Sequence, residues 1–149
     1  TGETNNPSVY LEDYNFQIGK AVTLMEGKDI TIIANGTMVY ESIQAAKHLK
    51  EEGVLSTVVN MHTIKPLDTS IIDKAIGSSK LIVTIEEHSI VGGLGGAVAE
   101  YKSGFKASPP QLILGLPDEF GKVGSHRYLL KKYDLTGIQI AKTILKKYK

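Results

Sequence analysis

Four short apolar runs, Ile30–Ala34, Val54–Met61, Leu81–Ile85 and Gln111–Gly115, are each separated from the next by a stretch with helical or loop character. The first is almost wholly β-branched and unbroken, the pattern of a strand covered on both faces rather than one with a wet side. After it, Val39, Ile43, Ala46 and Leu49 recur at helical intervals opposite Glu41, Lys47 and Lys50, and Gly53 stops the segment. Pro66-Leu67-Asp68 supplies a turn and an N-cap carboxylate for a helix over Thr69–Ile76, closed by Gly77. Ala97–Tyr101 reads as a third helix and Arg127–Tyr133 as a short fourth. Thr136-Gly137-Ile138-Gln139 has capping-box spacing, and Ile138, Ala141, Leu145 and Tyr148 then form one apolar stripe. Short strands alternating with helices predict an α/β domain with a mainly parallel sheet, helices on both faces and right-handed crossovers. Ala21–Leu24, before the turn Glu26–Asp29, reads as a further short strand.

Residues 1–15 are polar and without period, the mark of a linker or tail, which leaves 16–149 as the domain. A chain of 149 residues suits one domain with a real core. Its 17 basic and 16 acidic residues and 42% apolar content exclude a disordered, collagen-like or broadly basic nucleic-acid-binding chain. Eight basic groups and one acid fall within 121–149, but the lysines lie on the polar side of an amphipathic pattern and read as a solvated helix face. Basic residues are not interleaved with aromatics, so no nucleic acid is expected as a partner. No apolar run approaches the roughly 20 residues of a membrane span. Cysteine is absent, which removes disulfides, thiolate ligands and thiol nucleophiles and suits a cytoplasmic location. The opening Thr1-Gly2-Glu3-Thr4 has neither initiator Met nor apolar leader, so a piece of a longer protein is expected.

Open α/β sheets bind ligands outside the carboxyl ends of their strands, where strand order switches. Asn35-Gly36-Thr37, Met61–Lys65 and Glu86–Gly96 sit at such ends. Gly92-Gly93-Leu94-Gly95-Gly96 has the flexibility to cradle a phosphate, yet it contains neither G-x-G-x-x-G nor G-x-x-x-x-G-K-[ST]. Tight packing of a helix against a neighbouring surface, such as another subunit, is the preferred reading. Glu86, Glu87 and His88 have the chemistry for proton transfer, but neighbouring strand residues point to opposite faces, so the two acids do not share a site. His62 ends another strand and is a candidate to approach His88 in space, though the spacing matches no familiar metal-ligand set. His48 on a helix and His126 in a polar loop read as solvent-facing.

Taken together, Ile18–Ala21 with Glu26–Gly36, Asn60–Asp68, Val83–His88 with Gly92-Gly93-Leu94-Gly95, and Gly115 with Asp118–Gly121 and Leu129–Tyr133 resemble the C-terminal domain of transketolase-type thiamine diphosphate enzymes. The resemblance implies a three-layer α/β/α domain whose five-stranded, mostly parallel sheet has one antiparallel strand, at Ala21–Leu24. It also implies membership of an enzyme that moves a two-carbon ketol unit between sugar phosphates using thiamine diphosphate and a divalent metal, magnesium or calcium. The G-D-G motif of the diphosphate domain and the glutamate-bearing segment of the pyrimidine domain are absent here. No catalytic, cofactor or metal residue therefore carries over, and the isolated chain is expected to be inactive. The implied partners are the diphosphate- and pyrimidine-binding domains, in a homodimer or a split heterotetramer, with residues 1–15 leading from the pyrimidine domain. Glu86, Glu87, His88, Gly92, Gly93, Gly95, Gly96 and His62 are the candidates for an interface or active-site edge. His88 with the Gly-rich turn, and the ending Tyr133–Thr136, look most like split-subunit transketolases. The beta subunits of 2-oxoacid dehydrogenases and deoxyxylulose phosphate synthases are the other branches, and a stand-alone anion-binding regulatory module is the alternative of another class.

Overall fold

The structure, a computed structural model, describes residues 7–10 and 14–149. Five strands, β1 (Val22–Met25), β2 (Ile30–Ala34), β3 (Ser56–Asn60), β4 (Leu81–Ser89) and β5 (Gln111–Leu116), form one sheet in the order β1-β3-β2-β4-β5. Only β1 runs antiparallel to its neighbour; the other pairings are parallel. Five helices complete the fold: α1 (Met38–Glu51), α2 (Thr69–Ser78), α3 (Leu94–Lys102), α4 (His126–Lys132) and α5 (Gly137–Tyr148).

Strand alternation builds two cores from one sheet. Ile30, Ile32 and Ala34 of β2 with Leu81, Val83 and Ile85 of β4 face the layer of α1, α4 and α5. Ile33 and Ile82, on the opposite face, pack with Ile72 of α2 and with Leu94 and Val98 of α3. The central strands are therefore apolar on both sides, which is why their sequences show no alternation. The expected three-layer α/β/α arrangement is present, with β1 as its antiparallel strand. Among the described residues no helix is long and apolar enough to cross a membrane. Of the segment read as a tail, Val9 packs against the larger core and the Tyr10 hydroxyl accepts a hydrogen bond from Asn60 Nδ2 at 2.6 Å. The rest of that reading, at residues 1–6 and 11–13, lies outside the described residues.

Three local expectations are corrected. The stripe of α5 is Ile140, Ala141 and Ile144, backed by Leu145 and Tyr148, whereas Ile138 is 49% exposed. Gly137 sits so close to α1 that it sets the facing side, and positions three, four and seven beyond it follow on that side. At the start of α5 the Thr136 hydroxyl bonds the Gln139 side chain instead of a backbone amide, and the Gly137 amide is held by Glu41 Oε2 of α1 at 2.6 Å. Asp68 holds the N-cap position of α2 as expected, but its oxygens accept from the Ala21 amide at 2.9 Å and from the Ser70 hydroxyl, tying the approach to β1 to the start of α2 in place of a regular cap bond.

Burial pushes the Asp68 carboxyl upward, yet the Ser70 hydroxyl, the Ala21 amide and the Lys20 ammonium outweigh it and hold the group below its ordinary value. A carboxyl depressed by folding adds stability that is present above its unfolded pKa and is lost as the pH falls through the folded one. Asp68→Asn is therefore expected to be less stable than the parent at pH 7, with the gap shrinking as the pH drops below about 4. Urea midpoints for both chains at neutral and acid pH check this, and a gap independent of pH would contradict it.

Candidate functional site

From β2 the chain steps through α1 to β3 on one side, then through α2 across β2 to β4 on the other. The order switches between β2 and β4, and a crevice outside such a point is the usual ligand position in open α/β sheets. Thr37, at the start of α1, and Glu86-Glu87-His88, at the end of β4, converge there.

Because strand side chains alternate, the two adjacent acids leave the sheet in opposite directions. Glu86 is 1% exposed. Its Oε2 accepts from the Leu94 amide at 2.8 Å and its Oε1 from the Gly95 amide at 2.9 Å. These are the first two amides of α3, which have no acceptor inside the helix, and the helix dipole favours an anion there. Glu86 thus caps α3 from the neighbouring strand. The carboxylate passes over Gly93, where an added Cβ would lie 2.0 Å from Oε2. Gly95 is pressed against β5: a Cβ there would meet Ile113 Cγ2 at 2.5 Å, and its carbonyl accepts from Gln111 Nε2 at 2.9 Å. Gly92 and Gly96 have open space at the corresponding position.

Gly93 and Gly95 are thus packed within the chain, against Glu86 and Ile113. The Leu94 and Gly95 amides, the first that an anion at this turn would use, already hold Glu86.

Glu87 points to the other layer. Its Oε2 accepts from the Thr37 hydroxyl, and its Oε1 lies 2.8 Å from His126 Nε2. One carboxylate therefore bonds Thr37 at the start of α1 and lies against His126 at the start of α4, across the switch point. His126, expected in a loop and facing solvent, is instead the first residue of α4 with only 21% of its side chain exposed. The available signal was Ser125, whose hydroxyl accepts from the Tyr128 amide and makes His126 the first helical position.

His88 is exposed, with Nδ1 3.4 Å from the Ser89 carbonyl. The expectation that His62 approaches His88 is corrected, because β2 lies between the strands that carry them. His62 stacks on Phe16 with centroids 4.5 Å apart, and its Nδ1 lies 3.0 Å from the Thr63 hydroxyl. His48 is part-exposed beside Glu51, as expected. Among the described residues no group of three or more His, Asp or Glu is placed to hold a metal ion. Beside Glu87 a cleft of about 240 Å³ opens, with Leu116, Leu130 and Tyr133 on its floor and Asp118 and Lys122 at its rim.

A family model described as "Transketolase, C-terminal domain" matches residues 19–140. A putative transketolase C-terminal section of Methanocaldococcus jannaschii is 46% identical over 138 residues, covering 93% of this chain and 43% of that protein. A 1-deoxy-D-xylulose-5-phosphate synthase of Caldanaerobacter subterraneus is 42% identical over 135 residues, covering 91% of this chain and 22% of that protein. Among solved structures, a split-gene transketolase described as an inactive β4 tetramer superposes with a TM-score of 0.87 at 38% identity, over 94% of this chain and 46% of that one. The chain spans less than half the length of each of these relatives.

Proposed function

This chain belongs to the transketolase C-terminal domain family, and from that premise we propose that it is the C-terminal section of an enzyme moving a two-carbon ketol unit between sugar phosphates. Thiamine diphosphate and its divalent metal belong, in this reading, to the diphosphate- and pyrimidine-binding domains, on the same or a separate polypeptide in the cytoplasm. This section contributes assembly rather than chemistry, as a domain of a homodimer or a split heterotetramer. The carboxyl edge, with Glu87, His88, Gly92, Gly96 and His62, borders the contact with those domains, while Glu86, Gly93 and Gly95 hold the edge in shape.

The observation that carries the proposal is the use of Glu86. A buried carboxylate at the sheet's ligand edge is bonded to two amides of its own domain, so it keeps a helix in place and leaves those two amides occupied. Kinship with a C-terminal section, over 93% of this chain, supports the same division of labour. Calorimetry on the isolated chain is expected to show no binding of sugar phosphates, nucleotides or thiamine diphosphate. Ketol transfer is expected only once polypeptides bearing the other two domains are added. Turnover by this chain alone would overturn the proposal.

The 42% identity to a deoxyxylulose phosphate synthase favours a second reading within the same family. Assaying the assembled enzyme for both ketol transfer and formation of 1-deoxy-D-xylulose 5-phosphate separates the two.

A further inference from the structure

We propose that the cleft beside Glu87 is a binding site for a small primary amine with an apolar body, one ring or one branched chain in size. The cleft is lined by the ends of β4 and β5, the loop that follows β5, and α4, and its volume is about 240 Å³. A cavity of about 150 Å³ holds one benzene molecule, so this one takes a body of on the order of ten non-hydrogen atoms. Leu116, Leu130, Tyr133 and Leu135 give it an apolar surface, and Leu130 and Leu135 belong to the larger core. Covering such a surface with a ring or a branched chain is favourable, because apolar area leaves water on both sides. The wall is preformed: the Lys122 amide donates to the Tyr133 hydroxyl at 3.2 Å, which ties the loop to the end of α4.

Charge decides the head group. Glu87, Asp118 and Glu119 bring three carboxyl side chains to the cleft against the single ammonium of Lys122. Asp118 and Glu119 are exposed, and among the described residues neither makes an ion pair. Glu87 gives one oxygen to Thr37 and sets the other against His126. A carboxylate offers about four acceptor positions, so Glu87 has room for a further donor. An alkyl ammonium, protonated at neutral pH, brings one positive charge and several N–H donors to this surface. A carboxylic acid with the same body meets like charge instead. Glu86 and its helix cap take no part. A cleft that takes no amine overturns this site and leaves the C-terminal-section reading intact, whereas turnover by the chain alone overturns that reading and leaves the site standing.

Titrating the full chain with phenethylamine, 2-phenylethanol and 3-phenylpropionate, and following its amide resonances, tests this, since the probes share one ring and differ in head group. Phenethylamine is expected to bind with a Kd on the order of 1 mM, as suits a ligand of this size, and to shift the amides of Leu116, Leu130 and Tyr133. The alcohol is expected to bind the same place about threefold or more weakly, and the acid more weakly still. Asp118→Asn combined with Glu119→Gln, both at exposed positions, is expected to weaken the amine about two- to fivefold and to leave the alcohol unchanged. No shift by phenethylamine at about twentyfold higher concentration, shifts that fall outside the cleft, an alcohol that binds as well as the amine, or a double variant that holds the amine as tightly as the parent would each overturn the proposal.

Discussion

Glu86→Ala is expected to lower the stability of this domain by about 3–5 kcal/mol, a large part of the 5–15 kcal/mol that holds a typical domain together. Two charge-assisted hydrogen bonds to a buried carboxylate are lost, and the Leu94 and Gly95 amides are left without acceptors in a site that excludes water. Gly93→Ala strikes the same interaction from the other side. Its Cβ would lie 2.0 Å from Oε2, so the carboxylate must leave its amides before the methyl group fits. The two changes are therefore expected to be strongly non-additive. Once Glu86 is alanine, the methyl at position 93 meets no carboxylate, and its cost falls by about 2 kcal/mol or more. Urea unfolding of the four chains of this cycle, with unchanged m-values, measures the coupling. Additive effects would show that Gly93 is not there to make room for Glu86.

Gly137→Ala carries the second large effect. An added Cβ would sit 2.6 Å from Gln44 Cβ and 3.0 Å from the Glu41 carbonyl, both parts of α1 that no rotamer change moves aside. Helix α5 must back away, loosening Ile140, Ala141 and Ile144 in the core and stretching the bond from the Gly137 amide to Glu41. Overpacking of this kind costs about 1–3 kcal/mol, and loss of the capping bond adds to it. For a chain of this length the melting temperature is expected to fall by roughly 5–10 °C. Ile138→Ala, at the very next position but half-exposed, is expected to change stability by no more than about 0.5 kcal/mol. Calorimetric melting of the two variants side by side tests the placement of α5. Equal losses would return Ile138 to the core.

The strands were legible because β-branched runs such as Ile30–Ala34 have few alternatives: too short for a helix and too apolar for a loop. Opposite directions for Glu86 and Glu87 were legible for the same reason, since alternation is a property of the strand itself. The partners of those acids were not. Glu87 meets Thr37 and His126 only because the strand order brings the starts of α1 and α4 to the end of β4, and local sequence carries no record of that order. Capping failed in the same way at Asp68 and Thr136. Spacing names residues able to cap, but in the folded chain the oxygens of Asp68 bond Ala21 and Ser70, and Glu41 reaches the Gly137 amide from 96 positions away. Ile138 was misplaced because a period of 3.6 fixes the width of an apolar stripe but not its phase when Gly137, with no side chain, defines the contact.

Two consecutive acids on β4 pull in opposite directions and grip three helix starts, α3 on one side and α1 with α4 on the other. The upper and lower layers are thereby pinned through a single strand end. A neighbour docking on this edge would meet three helix starts already tied to one strand end by side chains of the domain itself.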